Sequence, residues 1–328
     1  MSETAAPAGY DAMVSSAAAY TPAAHGQFEV SGPDAHAYVN RVCTVDISRV
    51  PPGRFADALL LRDDATILAR VTVYRFDDLV MLLVDGDSRA AAWSYLVDRK
   101  RGNVRLRDIS DDVAVVAVRG PAAKGRLATL LEPVPESPGD LRRARLAGVD
   151  VFAARATRLG PDGLDLYCRA RDVTSLRSAI ERLGVPFVGA DTWSLVRLEW
   201  GILRIGTEVA AEDTPVEAGM EELVAQGKGA PFPGEVALAN RHRSGALKVL
   251  IGFTTEGDTA PPVGSEVQVN NRTVDRVRSS AVSPRAGVIG ITAVPRGSDV
   301  AGTPIRIVAA DREWDATLKR PPFVERGG

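Results

Sequence analysis

Cysteine and histidine are scarce in this sequence. The 328 residues include two cysteines, Cys43 and Cys168, and three histidines. The cysteines lie far apart without the short spacing of metal-binding pairs, so a disulfide scaffold, a zinc ribbon and an iron–sulfur cluster are not expected. His242 is the one histidine beyond the N-terminal region, which makes a Ser-His-Asp triad or a histidine metal site hard to assemble. We therefore predict no metal, and two buried free thiols suit a reducing cytoplasm.

The chain also lacks a surplus of charge of either sign. It has 40 Lys+Arg against 42 Asp+Glu, a net charge of −2, which disfavours nucleic acid or an anionic membrane as a partner. No segment reaches the roughly 18 consecutive apolar residues of a membrane helix, and the Ala-rich N-terminus lacks the basic start and apolar run of a signal peptide. We predict a cytoplasmic protein that acts on a small molecule. The sequence gives no indication of its oligomeric state.

The order of strand and helix patterns predicts two α+β units followed by an all-β domain. Strand-like alternation at Gln27–Val30 precedes helical spacing over Ala35–Val42, and Gly120-Pro121 begins a predicted helix that runs to Leu131. From Lys248 onward helical periodicity disappears, and short strands are broken by Gly, Pro and Asp. We predict an α+β fold with two ferredoxin-like α+β units and a C-terminal antiparallel β-barrel, divided into an N-terminal arm (1–22), the two units (23–110 and 111–245) and the barrel (246–328).

Segment 193–235 combines helix signals with turns and charges. Ser194–Trp200 has the length of a short helix or strand. Asp213–Glu217 is a helix-start pattern, with the hydroxyl of a threonine just before a proline at the first helical position. Arg197 and Glu199 are expected to form a structural ion pair rather than to act in catalysis. The segment is too irregular for a single helix and too specific in composition for a linker.

The same segment resembles the central motif of a known family. It carries Arg-Leu-Glu-x-Gly at 197–201, Gly-x-Glu at 206–208 and Thr-Pro-x-Glu-Ala-Gly at 214–219, followed by Lys228 and Gly234. This order and spacing resemble the glycine cleavage T-protein superfamily, the folate-dependent aminomethyltransferases. The resemblance covers nearly the whole chain after the first twenty residues. It implies three domains around a central folate channel, with tetrahydrofolate as the cofactor.

Five residues are expected beside folate, Asp165 and Tyr74 from the resemblance and the other three from the chemistry of their side chains. Asp165, in the predicted hairpin across residues 159–163, takes the position of the family's pterin-binding glutamate. A carboxylate suits that role because it can accept hydrogen bonds from two neighbouring N–H groups of the pterin. Tyr74 matches a folate-contacting tyrosine. Trp193 and Trp200 offer flat faces to the folate rings, and Arg241 suits the glutamate tail of folate or an acidic substrate. Structural alternatives stay open, namely an exposed hairpin acid for Asp165, core packing for the tryptophans and a solvated charge for Arg241.

The strand that ends at Tyr74 departs from the family pattern. The family has two aspartates there, one of which assists transfer of the aminomethylene carbon, whereas this chain has Ala69 and Arg70. A permanent cation inverts the electrostatics of that position, so we expect Arg70 to bind or polarise the substrate. Asp85 stands where the family has an asparagine beside folate, and it is either a ligand-facing acid or base or a solvated turn residue. Arg70, Asp85 and Tyr74 are the candidate catalytic residues.

These assignments favour a tetrahydrofolate-dependent one-carbon (methyl or aminomethyl) transferase or demethylase that acts on a small molecule, with an acidic substrate as one option, outside glycine cleavage itself. A folate-independent enzyme or ligand-binding protein that reuses the same fold and channel is the first alternative. The second is a folate-binding iron–sulfur assembly factor. Segment Lys228–Glu235 resembles that branch in its Lys-Gly but lacks the cysteine and the glutamine that follow there.

Overall fold

The computed structural model describes residues 6–22, 25–156 and 162–325. Three antiparallel sheets of five, six and seven strands, together with short helices, make up this part of the chain. The α+β prediction is confirmed. No helix in these ranges is long and apolar enough to cross a membrane.

The N-terminal segment has regular secondary structure and packs against the rest of the chain. It forms helix α1 (Tyr10–Ser15) and strand β1 (Ala18–Tyr20). Tyr10 and Met13 are buried, and β1 pairs antiparallel with residues 117–119. The predicted arm therefore docks over its described length, through backbone pairing that an Ala-rich stretch does not reveal by its pattern.

The first sheet has one face toward its own helices and one face toward the second sheet. Val71 and Val73 pack in the helix-covered core, whereas Arg70, Thr72 and Tyr74 share the opposite face, because side chains alternate along a strand. The predicted helix Ala35–Val42 has the expected bounds. The elements are β2 (His25–Ser31), α2 (Ala35–Val42), β3 (Arg54–Leu61), β4 (Ile67–Arg75), β5 (Leu79–Asp85), α3 (Arg89–Asp98) and β6 (Arg105–Asp108), in the sheet order β3-β4-β5-β2-β6.

The second sheet differs from its prediction in two places. The helix predicted to reach Leu131 ends at Leu127, because Leu131–Glu132 pairs as a strand with the following chain. The arginine-rich strand Leu141–Leu146 was not predicted, and most of the predicted turn 159–163 lies outside the described residues. The elements are β7 (Val113–Arg119), α4 (Ala123–Leu127), β8 (Leu131–Glu132), β9 (Leu141–Leu146), β10 (Val149–Ala156), β11 (Gly163–Arg169) and α5 (Val173–Arg182), in the order β1-β7-β11-β10-β9-β8.

The central segment confirms the predicted helix start. Thr214 forms a capping box with Glu217 ahead of a proline in the first turn. The stretch proposed as a helix or strand at 194–200 is the second half of a longer helix. The helices here are α6 (Ala190–Glu199), α7 (Pro215–Ala218) and α8 (Glu235–Ser244).

The C-terminal sheet curls on itself. Thr292 donates a 3.1 Å hydrogen bond to the carbonyl of Arg276, and Arg278 N donates to Ile291 O at 2.9 Å. The two end strands do not pair with each other in the described structure, so the sheet is a curled half-barrel, which agrees with the predicted β-barrel in part. Its strands are β12 (Lys248–Thr255), β13 (Glu266–Val269), β14 (Arg272–Arg276), β15 (Ser279–Ser283), β16 (Gly287–Pro295), β17 (Pro304–Val308) and β18 (Glu313–Lys319), in the order β14-β13-β17-β18-β12-β16-β15.

The first two sheets face each other across a small apolar core. Tyr74, Met81 and Leu83 of the first sheet pack there with Val115 and Tyr167 of the second. The space on either side of this contact is less filled, and it forms two cavities between the sheets. The inter-sheet space is therefore the place to look for a functional site.

Candidate active site

A cavity of about 260 Å³ lies between the first two sheets and helix α6. We call it the first cavity. Arg70 of β4 and Asp85 at the end of β5 face it from one sheet, and Asp165 of β11 faces it from the other. Trp193 of α6 covers a third side. The structure thus gathers four of the residues singled out from the sequence around one space.

Asp165 is paired with an arginine that sequence reasoning missed. Arg119 Nη2 lies 2.5 Å from Asp165 Oδ1, and Arg119 Nη1 donates to the carbonyls of Val118 and Leu164. Arg119 is 0% exposed, and Asp165 is 5% exposed. Because Arg119 occupies one carboxylate oxygen, Asp165 offers the cavity only part of its acceptor capacity.

Arg70 also has a counter-ion inside the protein. Its Nη2 lies 3.6 Å from Oδ2 of Asp57 on the neighbouring strand β3. Thr72 donates a 2.8 Å hydrogen bond to the other oxygen of that carboxylate. Arg70 therefore brings to the cavity a guanidinium whose charge is largely balanced. Ala69, the other position of the family's aspartate pair, is fully buried on the opposite face of the sheet.

Asp85 is the cavity carboxylate whose charge is not balanced. Its side chain makes no hydrogen bond or ion pair with any described residue. The neighbouring Asp87 is different, since its Oδ2 lies 2.7 Å from Nη2 of Arg204. Every other Asp or Arg side chain that lines the cavity, within the described residues, has an opposite charge beside it: Arg70, Asp87, Asp165, Arg197 and Arg204.

Tyr74 closes the inner end of the cavity rather than lining it. Its hydroxyl and that of Tyr167 share a short hydrogen bond, and the two rings meet edge to face with centroids 5.3 Å apart. Tyr167 lines the first cavity and also a second one on the far side of the pair. The tyrosine pair is therefore a wall across the space between the sheets.

The predicted aromatic and cationic residues separate into two groups. Trp193 lines the cavity, and its ring stacks on Tyr20 of β1 with centroids 5.3 Å apart and an interplanar angle of 17°. Burial raises the pKa of Tyr20, so this phenol stays neutral. Trp200 and Arg241 do not line the cavity. Trp200 packs beside helix α1, and Arg241 Nε lies 3.5 Å from a carboxylate oxygen of Glu217.

The predicted ion pair between Arg197 and Glu199 is wrong. Each side chain pairs with a different residue, in a contact that holds the fold. Arg197 forms a bidentate pair with Glu208, with distances of 3.0 and 2.9 Å, at the rim of the cavity. Glu199 points away and contacts Tyr10 and Arg285. Residues two apart on a helix do not face each other, which the prediction overlooked.

Several cavity residues were not identified from the sequence. Tyr20 comes from the N-terminal segment and Arg204 from the loop after α6, and neither has a local motif. Arg119 had one weak signal, because an arginine that directly follows the apolar run Val113–Val118 in a buried strand must find a partner. The nearest acid on the paired strand is Asp165.

The comparisons with known proteins agree with this architecture. The family model described as the GCVT N-terminal domain matches residues 3–228. This chain belongs to the GCVT family. The membership confirms the glycine cleavage T-protein superfamily predicted from the central motif.

Named relatives of this GCVT-family chain are aminomethyltransferases. A protein of Natronomonas pharaonis named probable aminomethyltransferase is 30% identical over 96% of this chain and 90% of its own length. The aminomethyltransferase of Anoxybacillus flavithermus is 28% identical over 92% of this chain and 85% of its own. The crystal structure of glycine cleavage system aminomethyltransferase T from Bartonella henselae matches with a TM-score of 0.89 at 20% identity, covering 97% of this chain and 89% of that one. That likeness shows the shared fold.

Proposed function

We propose that this GCVT-family protein is a tetrahydrofolate-dependent one-carbon transferase or demethylase that acts on a small molecule, outside glycine cleavage. The observation that carries the proposal is the cavity between the two sheets, where Asp165, Arg70 and Asp85 converge. The names of the relatives support one-carbon transfer. We further infer a cytoplasmic location, since Cys43 and Cys168 are free buried thiols.

The residues of the first cavity fit a reduced pterin. Asp165 retains acceptor capacity for pterin N–H groups beside its bond to Arg119, and Trp193 offers a flat apolar face. Tetrahydrofolate, when bound, supplies a nucleophilic nitrogen that accepts or donates a one-carbon unit. The protein's contribution is to orient the partner molecule and to place charge near the reacting carbon.

The charge balance of the cavity points to an amine as the partner molecule. Arg70 is neutralised by Asp57, so the cavity has no unbalanced cation to attract an acid. Asp85 is an unbalanced carboxylate, and a protonated amino group is its natural complement. The charge is thus placed on β5 instead of at the family's aspartate position on β4, which supports a substrate other than that of glycine cleavage. This reasoning replaces the acidic substrate considered from the sequence.

Calorimetric titration with tetrahydrofolate tests the proposal. Two variants, each with a serine on a helix replaced by phenylalanine, are compared with the wild-type protein. Ser194 lines the first cavity, whereas Ser178 of α5 lines neither cavity and is similarly half-buried. We expect micromolar binding in the wild-type protein, loss of at least roughly tenfold in Ser194→Phe because the ring fills the site, and little change in Ser178→Phe. No binding by the folded wild-type protein would overturn the proposal.

A second candidate function is favoured by the Arg119–Asp165 pair. If the 5% exposure of Asp165 leaves its second oxygen out of reach of a pterin, Asp165 cannot be the pterin acceptor, and the protein is then a folate-independent enzyme or binding protein for an amine. The same titration separates the two, since only the first candidate predicts tetrahydrofolate binding. The assembly-factor alternative gains no support, because Lys228 donates to the carbonyl of Cys43 and segment 228–235 does not line the first cavity.

We also infer that each α+β unit is a ferredoxin-like unit enlarged at one edge. In the first sheet, strands β6, β2, β5 and β4 lie in the order expected of a βαββαβ unit, and β3 is the added edge strand. In the second sheet β1 of the N-terminal segment occupies the edge beside β7. We place the domain limits at 110 and 245, which fall between elements.

A further inference from the structure

We propose that the second cavity between the sheets is a separate binding site for a flat, apolar carboxylate such as an aromatic acid. This cavity has a volume of about 510 Å³ and lies beyond the Tyr74–Tyr167 wall. It shares Tyr167 with the first cavity but none of Arg70, Asp85, Asp165 or Trp193. The proposal does not depend on the function proposed for the first cavity.

The position of this site follows from the strand registers. Along β11 the channel-facing residues are Asp165, Tyr167 and then Arg169, so the second cavity lies one strand period further along the sheet than the first. On the opposite sheet the same step leads from Asp85 through Leu83 to Met81. The two cavities are therefore successive chambers of one inter-sheet space.

The walls of the second cavity suit a flat apolar body. Phe76 and Phe152 meet edge to face with centroids 5.0 Å apart. Met81, Ile109 and Val113 extend this apolar surface. Aromatic side chains arranged in this way bind a further ring by offset stacking or edge contact. Most ligand pockets combine such a surface with a few charged groups that fix orientation.

The charges at the rim select an anion. The guanidinium of Arg143 lies over the ring of Phe152, 5.3 Å from its centroid, and pairs with no carboxylate among the described residues. Arg169 is likewise without an ion-pair partner in the part of the chain described. Two of the carboxylates at the cavity are already paired, Glu29 with Arg107 at 3.6 Å and Asp150 with Arg145 at 2.7 Å. Asp150 also interacts electrostatically with Arg169. Counted together with Arg107 and Arg145, four arginines face the three acids Glu29, Asp78 and Asp150, so one positive charge remains for a ligand carboxylate.

Titration with naphthoate, a flat aromatic carboxylate, tests the site in the full-length protein. Arg143 and Arg142 are neighbours on β9 whose side chains alternate in direction, and only Arg143 lines the cavity. We expect naphthoate to bind and the neutral naphthylmethanol to bind more weakly. Arg143→Glu should reduce naphthoate affinity by roughly tenfold or more. Arg142→Glu, which breaks a 3.6 Å ion pair with Asp140 but changes no residue of the cavity lining, should keep it within about twofold. Arg169→Glu provides a second test at an exposed position where folding is not at risk.

Three results would overturn the assignment. They are an absence of naphthoate binding by the wild-type protein, equal losses in Arg143→Glu and Arg142→Glu, and loss of naphthoate binding in Ser194→Phe. The last variant fills the first cavity, so a loss of naphthoate binding in it would place naphthoate in the first cavity instead of the second. Conversely, failure of tetrahydrofolate to bind leaves this proposal intact, because the two titrations report on different chambers.

Discussion

The hydroxyl of Tyr10 donates a 2.6 Å hydrogen bond to Oε1 of Glu199, a residue 189 positions away. Glu199 is fully buried at the end of α6, and it also accepts from Ser283 of β15 at 2.5 Å and from Arg285 at 2.9 Å. One carboxylate therefore joins the N-terminal helix, the central helix and the C-terminal sheet. Because α6 also carries Trp193, this junction holds one side of the first cavity in place.

Removal of the Tyr10 hydroxyl should destabilise the whole protein. In Tyr10→Phe, Glu199 loses a buried donor and Arg285 Nε loses its 3.0 Å acceptor, so we expect a loss of about 1–3 kcal/mol in the free energy of unfolding. Urea denaturation measures it. The matched control is Tyr20→Phe, because the Tyr20 hydroxyl makes no hydrogen bond with the described residues, and its stability should change by less than about 0.5 kcal/mol. Equal effects of the two changes would contradict the role given to Glu199.

The same hydroxyl should give a pH-dependent difference in stability. Burial, followed by the hydrogen bond to Glu199, raises the pKa of Tyr10 above its ordinary value of 10.0. The folded protein therefore holds this proton more tightly than the unfolded chain does. The stabilisation is complete below pH 10 and is lost as pH rises above it. We expect the stability advantage of wild type over Tyr10→Phe to be unchanged up to about pH 9 and to narrow between about pH 10 and pH 12 in urea titrations. A constant difference over that range would argue against the shift.

Local chemistry made part of this structure predictable from the sequence. The helix Ala35–Val42 and the cap at Thr214 depend on side chains a few residues apart, so the sequence pattern alone indicates them. The strand Leu141–Leu146 could not be predicted in this way, because three arginines interrupt its apolar alternation and its stability comes from pairing with β8 and β10. The same holds for β1, which is a strand only because β7 lies beside it.

The cavity shows the same division between local and long-range information. Arg70, Asp85, Asp165 and Trp193 were found through the motif positions of a family, and all four line the first cavity. Their ion-pair partners were not predictable, since Asp57 and Arg119 lie on neighbouring strands at distances set by register. The pairing of Arg70 changes the expected substrate from an acid to an amine. A motif can therefore place a residue without determining its electrostatic role.

The capping box at Thr214 should contribute measurably to stability. Its hydroxyl accepts a 3.3 Å hydrogen bond from Val216 N, and Glu217 Oε2 accepts from Thr214 N at 3.2 Å. Thr214→Ala removes the cap from a buried helix start, and we expect a loss of about 0.5–2 kcal/mol. The control is Thr174→Ala on the exposed side of α5, which should change the unfolding free energy by less than about 0.5 kcal/mol. Chemical denaturation measures the free energy of unfolding of both variants. Equal values would show that the Thr214 contacts do not stabilise the helix start.

Asp85 should determine affinity for amines without affecting stability. Its side chain has no partner among the described residues, so Asp85→Asn removes a charge and breaks no internal contact. We expect saturation-transfer NMR to show binding of dimethylammonium but not acetate in the wild-type protein, and the dimethylammonium signal to fall in Asp85→Asn. Asp87→Asn is the control, because Asp87 is paired with Arg204. Preferential binding of acetate would reverse the charge assignment of the cavity.

Asp165 should be essential for folding stability whether or not it binds a ligand. Asp165→Ala leaves the guanidinium of Arg119 buried without a counter-ion, and we expect a loss of about 3–5 kcal/mol. The exposed pair Arg145–Asp150 is the control, since Asp150→Ala should cost only a small fraction of that loss. Urea denaturation measures both losses.

A double variant separates the structural role of Asp165 from ligand recognition. Arg119→Met combined with Asp165→Leu replaces the pair with apolar groups of similar volume, and such replacements of buried ion pairs are often neutral or stabilising. We expect this variant to recover most of the stability lost in Asp165→Ala and still to bind tetrahydrofolate more weakly than wild type. Recovery of both stability and full tetrahydrofolate affinity would show that Asp165 serves only Arg119. The pterin acceptor would then have to be sought elsewhere on the cavity wall, with Asp85 as the first candidate.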